Sequence, residues 1–174
     1  MEIEKILFIY AISLIKHGNW SNPRRKPIEL EELRYYLEKI IALKGDSILD
    51  QQLYVDCFNK KGYNLYLNPT TLLMLGIATE DLDVVKVILE CGADPNSDVY
   101  YFTAPLGFAI SLNHEEIIDL LIDFGANKFG SRYEFTDKNT NLDKYKELID
   151  NMTKYKPNGS GYYEAKQNFY SLNT

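Results

Sequence analysis

An all-α chain of repeated helix pairs, stacked so that neighbouring pairs share a core, is predicted by three observations. The stretch from Leu82 to Asp94 (LDVVKVILECGAD) returns from Glu115 to Asn127 (EEIIDLLIDFGAN), with Gly92 and Gly125 a step of 33 positions apart. The same step carries Leu72 to Pro105 and Leu73 to Leu106, so two helices and the turn between them recur as one unit. Every apolar position from Val84 to Leu89 in the first copy's second helix is apolar again in the second copy. Such a unit buries too little by itself; roughly three or more must stack, with atypical units at the ends.

From the N-terminus, residues 2–17 read as a first helix. Ile6 to Ile15 is apolar, but the leader Met1 to Lys5 is acidic on balance and no Ala-x-Ala site follows. A buried helix is therefore expected, not a secretory signal, and the stretch is too short to span a bilayer. Gly18 to Pro27, with glycine and two prolines, marks a loop, and 28–44 carries a second helical pattern. Leu53 to Asn64 resembles a degenerate outer helix ending at Gly62. In the two clear copies, Val84, Val85, Val87, Ile88 and Leu89, and then Ile117, Ile118, Leu120, Leu121 and Ile122, form wide apolar stripes. Asp83, Lys86, Glu90, Glu116, Asp119 and Asp123 leave the other face wet. Gly92 and Gly125 stand where each helix must stop, because a left-handed residue there reverses the chain without a Cβ clash. Pro105 opens a helix, since its missing N–H does no harm in the first turn. Leu142 to Met152 reads as a closing helix. Beyond Lys156, Pro157 and Gly159 to Gly161 start a turn or linker, after which Tyr162, Tyr163, Phe169 and Tyr170 are expected to pack back. Three parts follow: a helical N-terminal extension or degenerate cap (1–62), the repeats (63–136), and a C-terminal cap helix with a Tyr-rich tail (137–174).

The step of 33, the Ala104-Pro105-Leu106 turn and the Gly-Ala-Asp and Gly-Ala-Asn ends resemble the ankyrin-repeat family over about residues 65–129. That resemblance implies a solenoid with short hairpin fingers. The chain departs from the family in two places. The family's Thr-Pro-Leu-His is Thr71-Leu72-Leu73-Met74 in one copy and Ala104-Pro105-Leu106-Gly107 in the other. The histidine that ties neighbouring turns is thus missing, and looser coupling between repeats is expected. The family's Gly-His between the helices becomes Glu80-Asp81 and Asn113-His114. Asn113 tolerates a left-handed backbone and Glu80 does so poorly, so the first turn is expected to differ from the second.

Hydrophobic residues at 45% and charged ones at 25% are enough for a packed core in a chain of this length. The formal charge of −6 is unevenly spread: residues 67–136 hold 3 Lys/Arg against 11 Asp/Glu, whereas 1–66 hold 10 against 9. An acidic middle repels nucleic acid and anionic membranes and suits a basic protein surface. Cys57 and Cys91 are too few for a disulfide scaffold; as small buried hydrophobes they imply a reducing, cytoplasmic setting. They also form no zinc spacing with His17 or His114, and no metal or cofactor is implied. His17 ends the first helix, where the dipole favours a cation, and His114 sits in the inter-helix turn; both have structural readings. Glu80, Asp81 and Asp83 lack the alternating ligands and central glycine of a calcium loop and read as a charged helix start. Gly159-Ser160-Gly161 lacks the frame of a nucleophile elbow, and no phosphate-binding loop is present. Arg24, Arg25 and Lys26 read as a solvated loop. The chain is therefore expected to be no enzyme, the opposing reading being an unrecognised site in the flanking segments.

In ankyrin proteins partners are held by the fingers and by two positions near the end of each inner helix. Carried over residue by residue, the resemblance implies Leu67, Asn68, Tyr100, Tyr101, Thr103, Arg132, Tyr133 and Glu134 on fingers, with Thr79, Ser111 and Leu112 on inner helices. Exposed tyrosines give large contact area at low entropy cost. The function expected is binding of a protein with a basic surface by a chain that is itself a monomer. One form is an immunity or inhibitor protein that neutralises a toxin or enzyme; the alternative is a bacterial effector or adaptor recruiting a host protein. The abundance of Tyr, Asn, Ile and Lys, typical of an AT-rich genome, fits a bacterial or phage source for either.

Overall fold

A computed structural model describes residues 11–13, 15, 29–54, 70–97, 104–127 and 143–147. Among these, regular structure is entirely helical, and the one β pairing is an isolated antiparallel bridge between Leu53 and Thr70. Residues 11–13 and 15 are helical, with Ala11 and Ile15 in the core, as the first helical pattern predicts. Helix α1 (Leu30–Lys44) buries Leu33, Leu37 and Ile40, one stripe at helical spacing. Glu31 and Glu32 lie in its first turn and Lys44 in its last, each where the helix dipole favours that charge. It stops at Gly45, whose φ of 84° admits a residue without Cβ and whose N–H donates to the Ile41 carbonyl at 2.7 Å. A 3-10 helix, Asp46–Asp50, follows and sinks Leu49 into the core; the sequence pattern did not announce it.

Two helix hairpins form the centre. In the first, α2 (Leu72–Ala78) pairs with α3 (Leu82–Glu90); in the second, α4 (Pro105–Ser111) pairs with α5 (Glu115–Asp123). Inner helix α2 packs on α4 and outer helix α3 packs on α5, so the hairpins lie side by side in the same orientation. Every residue of α2 is buried. Gly76 lets the two helices of the first hairpin close, because a Cβ there would come within 2.6 Å of the Ile88 Cδ1. The second hairpin has the buried Ala109 in that position, and Leu121 where the first hairpin has Ile88.

Local chemistry explains where each helix begins. The Thr71 hydroxyl accepts from the Met74 N–H at 3.2 Å, and the Asp81 carboxylate accepts from Asp83 and Val84 at 3.1 and 3.3 Å. Ala104 cannot cap, and Pro105 at the first position leaves one fewer N–H to satisfy. Both outer helices end alike. Gly92 donates to Leu89 and Ala93 to Ile88, while Gly125 donates to Ile122 and Ala126 to Leu121, closing two Schellman motifs with φ of 98° and 88° at the glycines.

Four expectations need correction. The turn at Glu80 does not differ in backbone from that at Asn113: their φ values are 56° and 57°. Hairpin closure fixes the left-handed step, and the side chain follows at a conformational cost. Leu53 does not open a helix; its N–H donates to Thr70 and it accepts the Thr70 N–H in return, at 2.7 and 2.9 Å. Residues 55–69 lie outside the described set, and the helix packed on α3 from the N-terminal side is α1, with the 3-10 helix against α2. Cys91 is half-buried, not buried, because it caps α3 at its edge. The closing helix opens as a 3-10 turn, Asp143–Tyr145, before Lys146 and Glu147 turn helical; its remainder to Met152, like the part boundaries at 62 and 136, falls outside the described residues.

Candidate functional site

Of the residues assigned to partner binding, Thr79, Ser111 and Leu112 are described. Leu67, Asn68, Tyr100, Tyr101, Thr103, Arg132, Tyr133 and Glu134 lie outside the described residues, as do Cys57, His17 and Arg24 to Lys26.

Thr79 is buried, only 6% exposed. Its hydroxyl donates to the Gly76 carbonyl at 2.7 Å and accepts the Asp81 N–H at 3.1 Å. In the second hairpin the corresponding link is made by the backbone alone, the His114 N–H donating to the Ala109 carbonyl at 3.4 Å. The Thr79 hydroxyl thus splices the first turn where a backbone bond closes the second. A residue-by-residue carry-over cannot see this, because it reads position and not the bond the side chain makes.

Ser111 and Leu112 are half-exposed and flank the exposed Asn113, so the end of α4 does offer surface. The Ser111 hydroxyl donates back to the Phe108 carbonyl at 2.7 Å, and Leu112 rests against the core as the cap residue of α4.

Three ties hold this surface in register. The His114 ring reaches across the repeat step, its Nε2–H donating to the Glu80 carbonyl at 3.2 Å in the tautomer that this contact selects. His114 Nδ1 stands 3.3 Å from the Glu116 carboxylate without the alignment of a hydrogen bond. A tie across the repeat step is therefore made from this turn, where the Thr-Pro-Leu-His position offers no histidine. Along the loops after the outer helices, Asn96 Oδ1 accepts the Asn127 N–H at 2.6 Å and Asn96 Nδ2 donates to the Gly125 carbonyl at 3.2 Å. One step earlier, Asp50 Oδ1 accepts the Asp94 N–H at 3.0 Å.

The outer face is acidic. Asp83, Glu90, Asp94, Glu115, Glu116 and Asp123 are exposed. Three cations answer them locally: Arg34 pairs with Glu90, Lys86 lies 4.0 Å from the same carboxylate, and Lys144 meets Asp119 at 2.6 Å. The hydrogen bond from Lys144, with that from the Tyr145 hydroxyl at 2.6 Å, holds the Asp119 carboxyl below the usual range. Burial pushes the Cys91 thiol up, away from the reactive thiolate. Burial likewise raises the Asp50 carboxyl, with the nearby charges of Asp94 and Asp46 adding to it and the Asp94 N–H opposing it. Among the described residues no group of three His, Cys, Asp or Glu side chains is placed to hold a metal ion, and no helix is long and apolar enough to cross a membrane.

No protein-family model matches the chain. Over 46 residues it is 48% identical to "Protein fem-1 homolog A-like" of Mus musculus, covering 26% of this chain and 7% of that protein. The same identity and coverage hold for "Protein fem-1 homolog A-A" of Mus musculus and "Protein fem-1 homolog A" of Rattus norvegicus. These relatives are ankyrin-repeat proteins, and the aligned stretch, though only 7% of their length, supports the ankyrin-repeat reading of this chain.

Proposed function

We propose that this chain is a non-catalytic ankyrin-type module, a short solenoid that binds a protein with a basic surface through its fingers and the exposed end of α4. The observation that carries the reading is the parallel placement of the two hairpins, inner helix on inner helix and outer on outer, tied at both turns. A scaffold of that kind holds loop and helix-end side chains in place before docking, so less entropy is lost on association. The short identity to fem-1 homologs points the same way. Preference for a basic partner rests on charge: with 11 Asp/Glu against 3 Lys/Arg in residues 67–136, the module would speed encounter with a cationic surface, an effect that salt weakens. A role in neutralising a toxin or enzyme is the narrower form of this reading.

The test is capture from native lysate by the full chain, followed by affinity measurement with the purified partner at low and moderate salt. A Tyr100→Ala/Tyr101→Ala/Tyr133→Ala variant and a separate Ser111→Arg variant, both checked by circular dichroism, should lose at least about tenfold in affinity, as hot-spot truncation does. Binding unchanged in both, or insensitive to salt, would remove the assignment of this face. Loss of the partner's own activity in a one-to-one complex marks a neutraliser, and retained activity marks an adaptor.

A further inference from the structure

We draw no further inference here: the strongest candidate, the surface patch on α1 where Tyr35 and Leu43 stand 54% and 55% exposed with Lys39 between them, is an unpartnered apolar face, and nothing in the structure shows what covers it.

Discussion

The turn at Glu80 offers a direct measure of strain, because the chain contains its own control. Glu80 and Asn113 occupy the same position in successive hairpins with φ of 56° and 57°, yet only asparagine is at ease in that region. A several-fold statistical preference corresponds to about 1 kcal/mol, the lower end of the cost of placing an ordinary L-residue left-handed. The Glu80 side chain is half-exposed, and the bonds at this residue use its backbone: the N–H donates to Ile77 at 2.9 Å and the carbonyl accepts from His114 at 3.2 Å. Glu80→Asn should therefore keep both bonds and stabilise the fold by about 0.5–1 kcal/mol. In urea that moves the midpoint up by roughly 0.3–0.5 M at a slope near 2 kcal/mol/M, and in heat by about 2–4 °C per kcal/mol. Glu80→Gly should gain less, since glycine also enlarges the entropy of the unfolded chain. Asn113→Glu should lose what Glu80→Asn gains. If Glu80→Asn leaves the midpoint where it was while Asn113→Glu is harmless, the left-handed step stores no strain and the reasoning fails.

Removing the Thr79 hydroxyl as Thr79→Val conserves shape but takes away the acceptor that the Asp81 N–H finds at 3.1 Å and weakens the hold on Gly76; urea unfolding should show a loss of about 1–3 kcal/mol, far beyond a surface substitution. No loss would mean the hydroxyl is not the splice of this turn. At the other end, Asp119 is held below the usual carboxylate range first by Lys144 and then by the Tyr145 hydroxyl. A carboxyl depressed by folding lends stability above its unfolded value, and that contribution disappears as pH falls through the folded one. Docking of residues 143–147, followed by exchange at their amides, should therefore weaken below about pH 4, and Asp119→Asn should flatten that dependence.

What was legible in the sequence was local. Gly92 and Gly125, Pro105, and the apolar stripes of α3 and α5 announce their roles because each is a short-range signal: a left-handed cap, a fixed φ, a helical period. Glu80 was misread for the same reason in reverse. Its own propensity argues against a left-handed backbone, but the hairpin closes only with one, and tertiary closure outweighs a cost of about 1 kcal/mol. Leu53 to Gly62 reads as an outer helix by period and terminal glycine; its first residue, Leu53, pairs with Thr70 at long range, which no local pattern encodes, and the rest from residue 55 lies outside the described residues. Thr79 was placed at a family binding position, and its burial depends on a bond to Asp81 that the alignment of repeats hides, since the second copy has Leu112 there.

The ties across the repeat step show how the two helix pairs keep their register without a histidine at the start of either inner helix. With methionine and glycine where a histidine would sit, coupling moves to groups that need only a backbone partner: the His114 ring on the Glu80 carbonyl, Asn96 on Asn127, and Asp50 on Asp94. Each accepts from or donates to a main-chain group, so the neighbouring side chain can change freely without breaking the tie. Glu80 is a case in point: its side chain is half-exposed, and the tie from His114 uses its backbone carbonyl. Side chains that take no part in a tie can vary and accumulate charge, which is consistent with a segment, residues 67–136, that holds 11 acids and 3 bases around two packed helix pairs. The same separation makes the surface and the scaffold independently testable: substitutions at Asp83, Glu116 or Asp123 should alter the salt dependence of binding with little change in stability, whereas those at the ties should do the reverse.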